Sequence, residues 1–229
     1  MPSYQDIPQY TRGASYAVDI SWRWLPQHYH HSVVDYGLDV NPNFQRGRVW
    51  STTQKVNYIE YILQGGKSGK DLYFNCPKWH YGRIGRDIPG GWYVLVDGKQ
   101  RIDAVLGYLS NEFKIFGQWY HEDYTSFPDI MTASFRWYVN ELQTIEEVYR
   151  WYIDLNSGGT VHSPDEIARV QALLDAKVPY SPISGAEAEE AANMSRSVIV
   201  AVKEEQERNK AEKDARDAAN AAKPKKKRR

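Results

Sequence analysis

Residues 94–106, Val-Leu-Val-Asp-Gly-Lys-Gln-Arg-Ile-Asp-Ala-Val-Leu, constrain the fold more than any other stretch of the chain. An apolar run of strand character ends in the polar pentapeptide Asp97-Gly98-Lys99-Gln100-Arg101. Helical spacing then resumes at Ile102, Val105, Leu106 and Leu109. A buried strand that runs straight into an amphipathic helix needs a sheet with helices packed on it, so the expected class is α/β (α+β). The same junction offers chemistry, because the first N–H groups of a helix have no intrahelical partner and the dipole there favours anions. Gly98 lets a backbone approach a ligand closely, and Asp97 offers a carboxylate to a metal ion or a water. Arg101 offers a forked cation, and Gln100 a neutral donor and acceptor.

Two further segments place polar residues at the edge of apolar elements: Asn41-Pro42-Asn43-Phe44-Gln45-Arg46-Gly47-Arg48-Val49-Trp50 upstream, and Trp151-Tyr152-Ile153-Asp154-Leu155-Asn156-Ser157-Gly158-Gly159 downstream. The ordered set PxFQRxxxW, DGxQR and IDLNSGG resembles the N-terminal domain of the GmrSD family of modification-dependent restriction proteins, over roughly residues 35–175. The resemblance implies a ParB/sulfiredoxin-like mixed sheet with surrounding helices. It also implies a nucleotide-binding and NTP-hydrolysing site linked to DNA restriction, defence or phage biology. By the same resemblance Asp97, Gln100 and Arg101 are the catalytic residues, and Gln45, Arg46, Gly98 and Asn156 are nucleotide-binding. A nucleoside triphosphate is the expected ligand, and Mg²⁺ the expected ion, with Asp97 as its ligand.

Lys99 departs from the family's DGQQR, and it either adds a cation beside a phosphate or faces solvent. The family's C-terminal His-Asn-His nuclease domain has no counterpart here, since no histidine follows residue 175. A separate nuclease partner is therefore expected. Sulfiredoxin chemistry needs a nucleophilic thiol in the turn, and the single cysteine, Cys76, lies elsewhere.

The remaining pattern fills in an α/β domain followed by helices. Residues 1–34 read as an aromatic-rich, irregular N-terminal segment, 35–178 as the domain, 179–222 as a charged helical extension and 223–229 as a basic tail. Within the domain, strands are expected over Val33–Val40, Asp71–Asn75, Trp92–Val96, Glu112–Phe116 and Phe135–Val139. Gly82–Gly91 reads as a loop. Helices are expected over Thr52–Leu63, capped by Ser51 or Thr52, and over Gln100–Leu109. Another begins at the capping box Thr144-Ile145-Glu146-Glu147, and a fourth at Ser163-Pro164. In the extension Met194, Val198, Ile199 and Val202 supply about two turns of apolar stripe before it fades into a projecting helix.

Charge is divided along the chain. Of 29 basic residues, six (Lys223, Lys225, Lys226, Lys227, Arg228 and Arg229) sit in the last seven positions, which leaves 23 basic against 29 acidic in the body. Such a block is either a solvated terminus or an electrostatic arm for phosphate backbones, which makes DNA a candidate partner. The lone cysteine rules out an internal disulfide framework, and no apolar run is long enough for a membrane span. No membrane association and a cytoplasmic location are expected.

Weaker signals are His28, His30 and His31, the pair Cys76 and His80, and Asp154 beside Asn156. None supplies the four ligands of a zinc-type site. The residue types thus leave three readings: an NTP-hydrolysing protein, a ParB-like DNA-binding or DNA-nicking protein, and a non-catalytic interaction module.

Overall fold

The computed structural model describes residues 10–11, 14–45, 50–77, 79, 93–124, 126, 128, 132–157, 164–180, 189–193 and 196–200, with a few positions between 203 and 215. Its elements run β1 (Tyr16–Ser21), α1 (Leu25–Val34), α2 (Thr52–Leu63), β2 (Asp71–Asn75), β3 (Val94–Asp97), α3 (Lys99–Leu109), a 3₁₀ turn (His121–Asp123), β4 (Ser134–Asn140), α4 (Ile145–Ser157) and α5 (Pro164–Asp175). This is a mixed α+β architecture. The four strands form one sheet in the order β1-β4-β2-β3. The pairs β1–β4 and β2–β3 are antiparallel, and β2–β4 is parallel.

Strand alternation divides the core between the two faces of the sheet. One face sends Leu72, Phe74, Leu95, Phe135, Trp137 and Val139 into a cluster with α1, α2 and α3. At its centre the Phe74 and Trp137 rings stack at 3.8 Å and 7°. The opposite face sends Val94 and Val96 into a second cluster with Phe44 and the apolar residues of α4 and α5. β3 therefore contributes to both clusters. That double burial explains why its sequence reads as a continuous apolar run rather than an alternating one.

Several sequence expectations need correction. The segment 1–34 is not irregular throughout: residues 16–21 form β1, paired along its length with β4, and residues 25–34 form α1. The sheet thus includes residues set apart from the domain on sequence grounds. Pro26 occupies the first turn of α1, where its fixed φ and missing N–H are tolerated. The strand expected over Val33–Val40 is instead the end of α1 and a turn, with Asp39 alone bridging to Val94. Glu112–Phe116 is likewise no strand. Positive φ at Asn111 (60°), Phe116 (50°) and Gly117 (71°) breaks extension, and Ile115 instead bridges to Trp119 across a tight turn.

The expectations for α2 and β2 match residue for residue, and those for β3, α3 and β4 match within two positions at each end. In the extension Val198 is buried beside Ala191 and Ala192 in the first cluster, while the described positions from 203 to 215 are exposed. The Gly82–Gly91 loop, the Ser163 cap and the tail 223–229 lie outside the described residues.

Candidate functional site at the β3–α3 turn

The turn begins where β3 ends. Asp97 pairs with Tyr73 of β2, Gly98 takes φ +118° as the residue before α3, and Lys99 opens the helix. Gly98 is required here by packing as well as by backbone conformation. A Cβ at this position would lie 2.4 Å from Leu72 Cδ2. The close approach that glycine permits is thus to the neighbouring strand, and the glycine alone carries no argument for a ligand.

Across the turn the guanidinium of Arg101 pairs with the Asp97 carboxylate, with the two side chains only 18% and 25% exposed. Burial works against the charge on Arg101. The nearby Asp97 carboxylate outweighs it, with contributions from Tyr58 and Tyr73, and the guanidinium is held more firmly protonated than usual. Tyr73 is pushed up to about 12, first by burial and then by Asp71, Tyr138 and Asp97. Tyr58 is also raised by burial, against the pull of Arg101. A charge-paired arginine at the strand–helix junction is thus coupled electrostatically to Tyr58 and Tyr73.

The upstream motif reaches this turn through two glutamines. Gln45 Nε2 donates to the carbonyls of Leu95 (3.0 Å) and Val96 (2.6 Å) in β3. Gln100, itself buried, accepts from the backbone N–H of Trp50 at 3.1 Å. Both amides bond to backbone groups, which is a structural role. Together they fasten the two ends of the 45–50 segment to the strand and to the helix. Arg46 itself lies outside the described residues.

Lys99 is 7% exposed, so of its two expected settings the solvent-facing one is wrong. It is buried at the first position of α3.

The downstream motif is placed differently. Asn156 Nδ2 donates at 2.6 Å to the carbonyl of Tyr152 in its own helix, and Asp154 accepts from the N–H and Oγ1 of Thr11, each at 3.0 Å. These two polar side chains are thus spent on α4 itself and on the N-terminal segment, not on the Asp97 turn. What this region brings to the turn is packing: Trp151 meets the Tyr73 ring edge-on at 5.9 Å.

Among the described residues no group of three or more His, Cys, Asp or Glu side chains could hold a metal ion. Asp97 is a single carboxylate, a donor set that suits an Mg²⁺ carried in by phosphates rather than one caged by protein. The histidine cluster is accounted for by packing: His31 contacts Asp35 and Tyr36, and His28 lies edge-on to Trp137 at 4.7 Å. Cys76 is fully buried after β2, which removes it from surface thiol chemistry. His80 lies outside the described residues.

Sequence reasoning missed Tyr73 and Tyr138, which face each other across β2 and β4 and stack at 5.2 Å and 11° beside Asp97. The alternation in Asp71–Asn75 separates Tyr73 from Leu72 and Phe74, but strand order is needed to bring it to the turn. No family model matches the chain, and neither a curated protein nor a solved structure matches it.

Proposed function

We propose that the β3–α3 turn is a nucleotide site and that the protein is an NTP-binding, NTP-hydrolysing member of the ParB/sulfiredoxin-like kind. The observation that carries this reading is the convergence of two separated motifs: Gln45 bonds to β3 just before Asp97, and Trp50 bonds to Gln100 beside Arg101. A mixed four-stranded sheet with helices on both faces is compatible with that fold.

Phosphates would lie at the α3 N-terminus, where the helix dipole favours anions. Arg101 and Arg46 would neutralise their charge, and Gln100 would fix the loop that carries Arg46. Asp97 would hold Mg²⁺ together with the phosphate oxygens, which requires the Arg101 guanidinium to move from Asp97 onto the phosphate. Such an exchange would keep each buried charge paired before and after binding. The ion would supply charge neutralisation, and the chain's own part is to position the phosphates and exclude water from the half-buried turn. Asn156 is spent on its own helix, so its share in binding is the least supported of the residues implied by the resemblance. A role in restriction, defence or phage biology, with a separate nuclease partner and DNA held by the 223–229 tail, follows from the same reading.

Calorimetric titration with ATP, GTP, CTP and UTP, with and without Mg²⁺, tests it. One nucleotide should bind to the wild-type protein. Arg101→Ala should weaken it by roughly tenfold to 150-fold, the worth of a hydrogen bond to a charged group at about 1.5–3 kcal/mol. Asp97→Ala should abolish the Mg²⁺ dependence. Wild-type affinity in both variants, with circular dichroism showing them folded, would remove the turn from consideration.

A further inference from the structure

Residues 42–45 of the upstream motif are held by a helix far along the chain as well as by their own bonds. Their backbone turns tightly, with Gln45 N–H donating to the carbonyl of Pro42 at 2.8 Å. That turn leaves the carbonyls of Asn43 and Phe44 facing α5. There Arg169 donates through one guanidinium nitrogen to Asn43 O at 2.8 Å and through the other to Phe44 O at 2.7 Å. The planar fork matches two successive carbonyls, a geometry that a lysine ammonium cannot reproduce at both. Below it Phe44 is fully buried, edge-on to Tyr149 and Tyr152 of α4 at 5.6 and 5.5 Å. The hairpin beneath is itself locked, since Tyr152 OH donates at 2.9 Å to the buried Glu166 of α5.

These links run in series from α5 to the turn at 42–45, and from Gln45 to the carbonyls of Leu95 and Val96, the residues just before Asp97. We propose that Arg169 is a positioning residue for the nucleotide site, through which helix α5 holds the 42–45 turn against β3. The proposal rests on the nucleotide reading for its consequence, but the mechanical link stands on its own geometry. It makes the docking of α5 a means of regulating the site: whatever shifts this helix also shifts the 42–45 turn and, through Gln45, its hold on β3.

Amide hydrogen exchange and nucleotide titration of Arg169→Ala and Arg169→Lys separate these claims. Loss of two charge-assisted bonds should speed exchange of the 43–45 amides by about tenfold or more while the α4 amides keep their wild-type protection. Arg169→Lys should be intermediate, because one ammonium replaces a fork. Nucleotide affinity should fall in the same order, and by less than it falls in Arg101→Ala. Wild-type exchange over 43–45 in either folded variant would overturn the proposal, and Arg169→Lys decides alone if the alanine variant does not fold. Should the wild-type protein bind none of the four nucleotides, the nucleotide reading fails, and exchange alone judges the positioning role.

Discussion

At the scale of single residues, the motif side chains carry two demands at once. Gln45 and Gln100 are amides whose hydrogen bonds close backbone gaps, and Gly98 is glycine because of Leu72. Gly98→Ala should therefore destabilise the protein by about 1–3 kcal/mol, the range for a non-glycine residue held in a sparsely populated backbone region. The cost combines the strain of φ +118° with a contact to Leu72 Cδ2. Urea unfolding of Gly98→Ala in the wild-type and Leu72→Ala backgrounds divides the two. The contact part should vanish in the second background while the backbone part persists, and equal penalties in both would mean that Leu72 is not the obstacle. Asp97 and Arg101 differ from these residues because they pair with each other. A ligand that takes one of them must offer the other a new partner.

At the scale of elements, α4 and α5 matter to the site although α4 spends its own polar motif residues elsewhere. α4 begins as its sequence predicts: Glu147 N–H donates to Thr144 Oγ1 at 3.3 Å, and the Glu147 carboxylate accepts from the Thr144 N–H at 2.9 Å. The backbone N–H of Thr144 first, and that of Gln143 as well, hold the Glu147 carboxyl below its ordinary range. A depressed carboxylate contributes stability above the unfolded value and loses it as pH falls through the folded one. The cap is therefore complete at neutral pH and lost in acid, at and below the usual glutamate range. Thr144→Ala should cost about 1 kcal/mol at pH 7. Glu147→Gln should flatten the acid limb of a stability-versus-pH curve measured by urea unfolding. An unchanged acid limb would show that the carboxylate is not what the cap titrates.

At the scale of the whole molecule, charge is segregated, with an acidic body and six basic residues at the end. If that end grips phosphate backbones, deleting 223–229 should lower affinity for unrelated duplexes alike. It should also reduce the slope of log affinity against log salt by up to about 0.9 per neutralised phosphate, for at most six charges. Fluorescence anisotropy with two unrelated duplexes at low and moderate salt measures both quantities. Coincident curves for the full-length and shortened chains would show the tail to be inert.

Much of this architecture is legible locally. α2 is bounded by the Ser51 and Gln54 capping box and by Gly65 at positive φ, so its ends are written within a few residues of themselves. The βα turn is equally local, since an apolar run, a glycine and a helical stripe are enough to place Asp97 and Arg101 at one junction. What the sequence could not reveal depends on pairing across distance. β1 is a strand because β4 lies beside it more than a hundred residues later, and α1 hid behind a proline that starts helices as readily as it ends them. Asn156 stood beside a motif yet bonds within its own helix, while Arg169 belonged to no motif and holds one. Local chemistry determines which residues begin and end an element. Only the tertiary structure decides which distant backbone groups are left for a side chain to satisfy, and that accounting placed Gln45, Gln100 and Arg169 around a single turn.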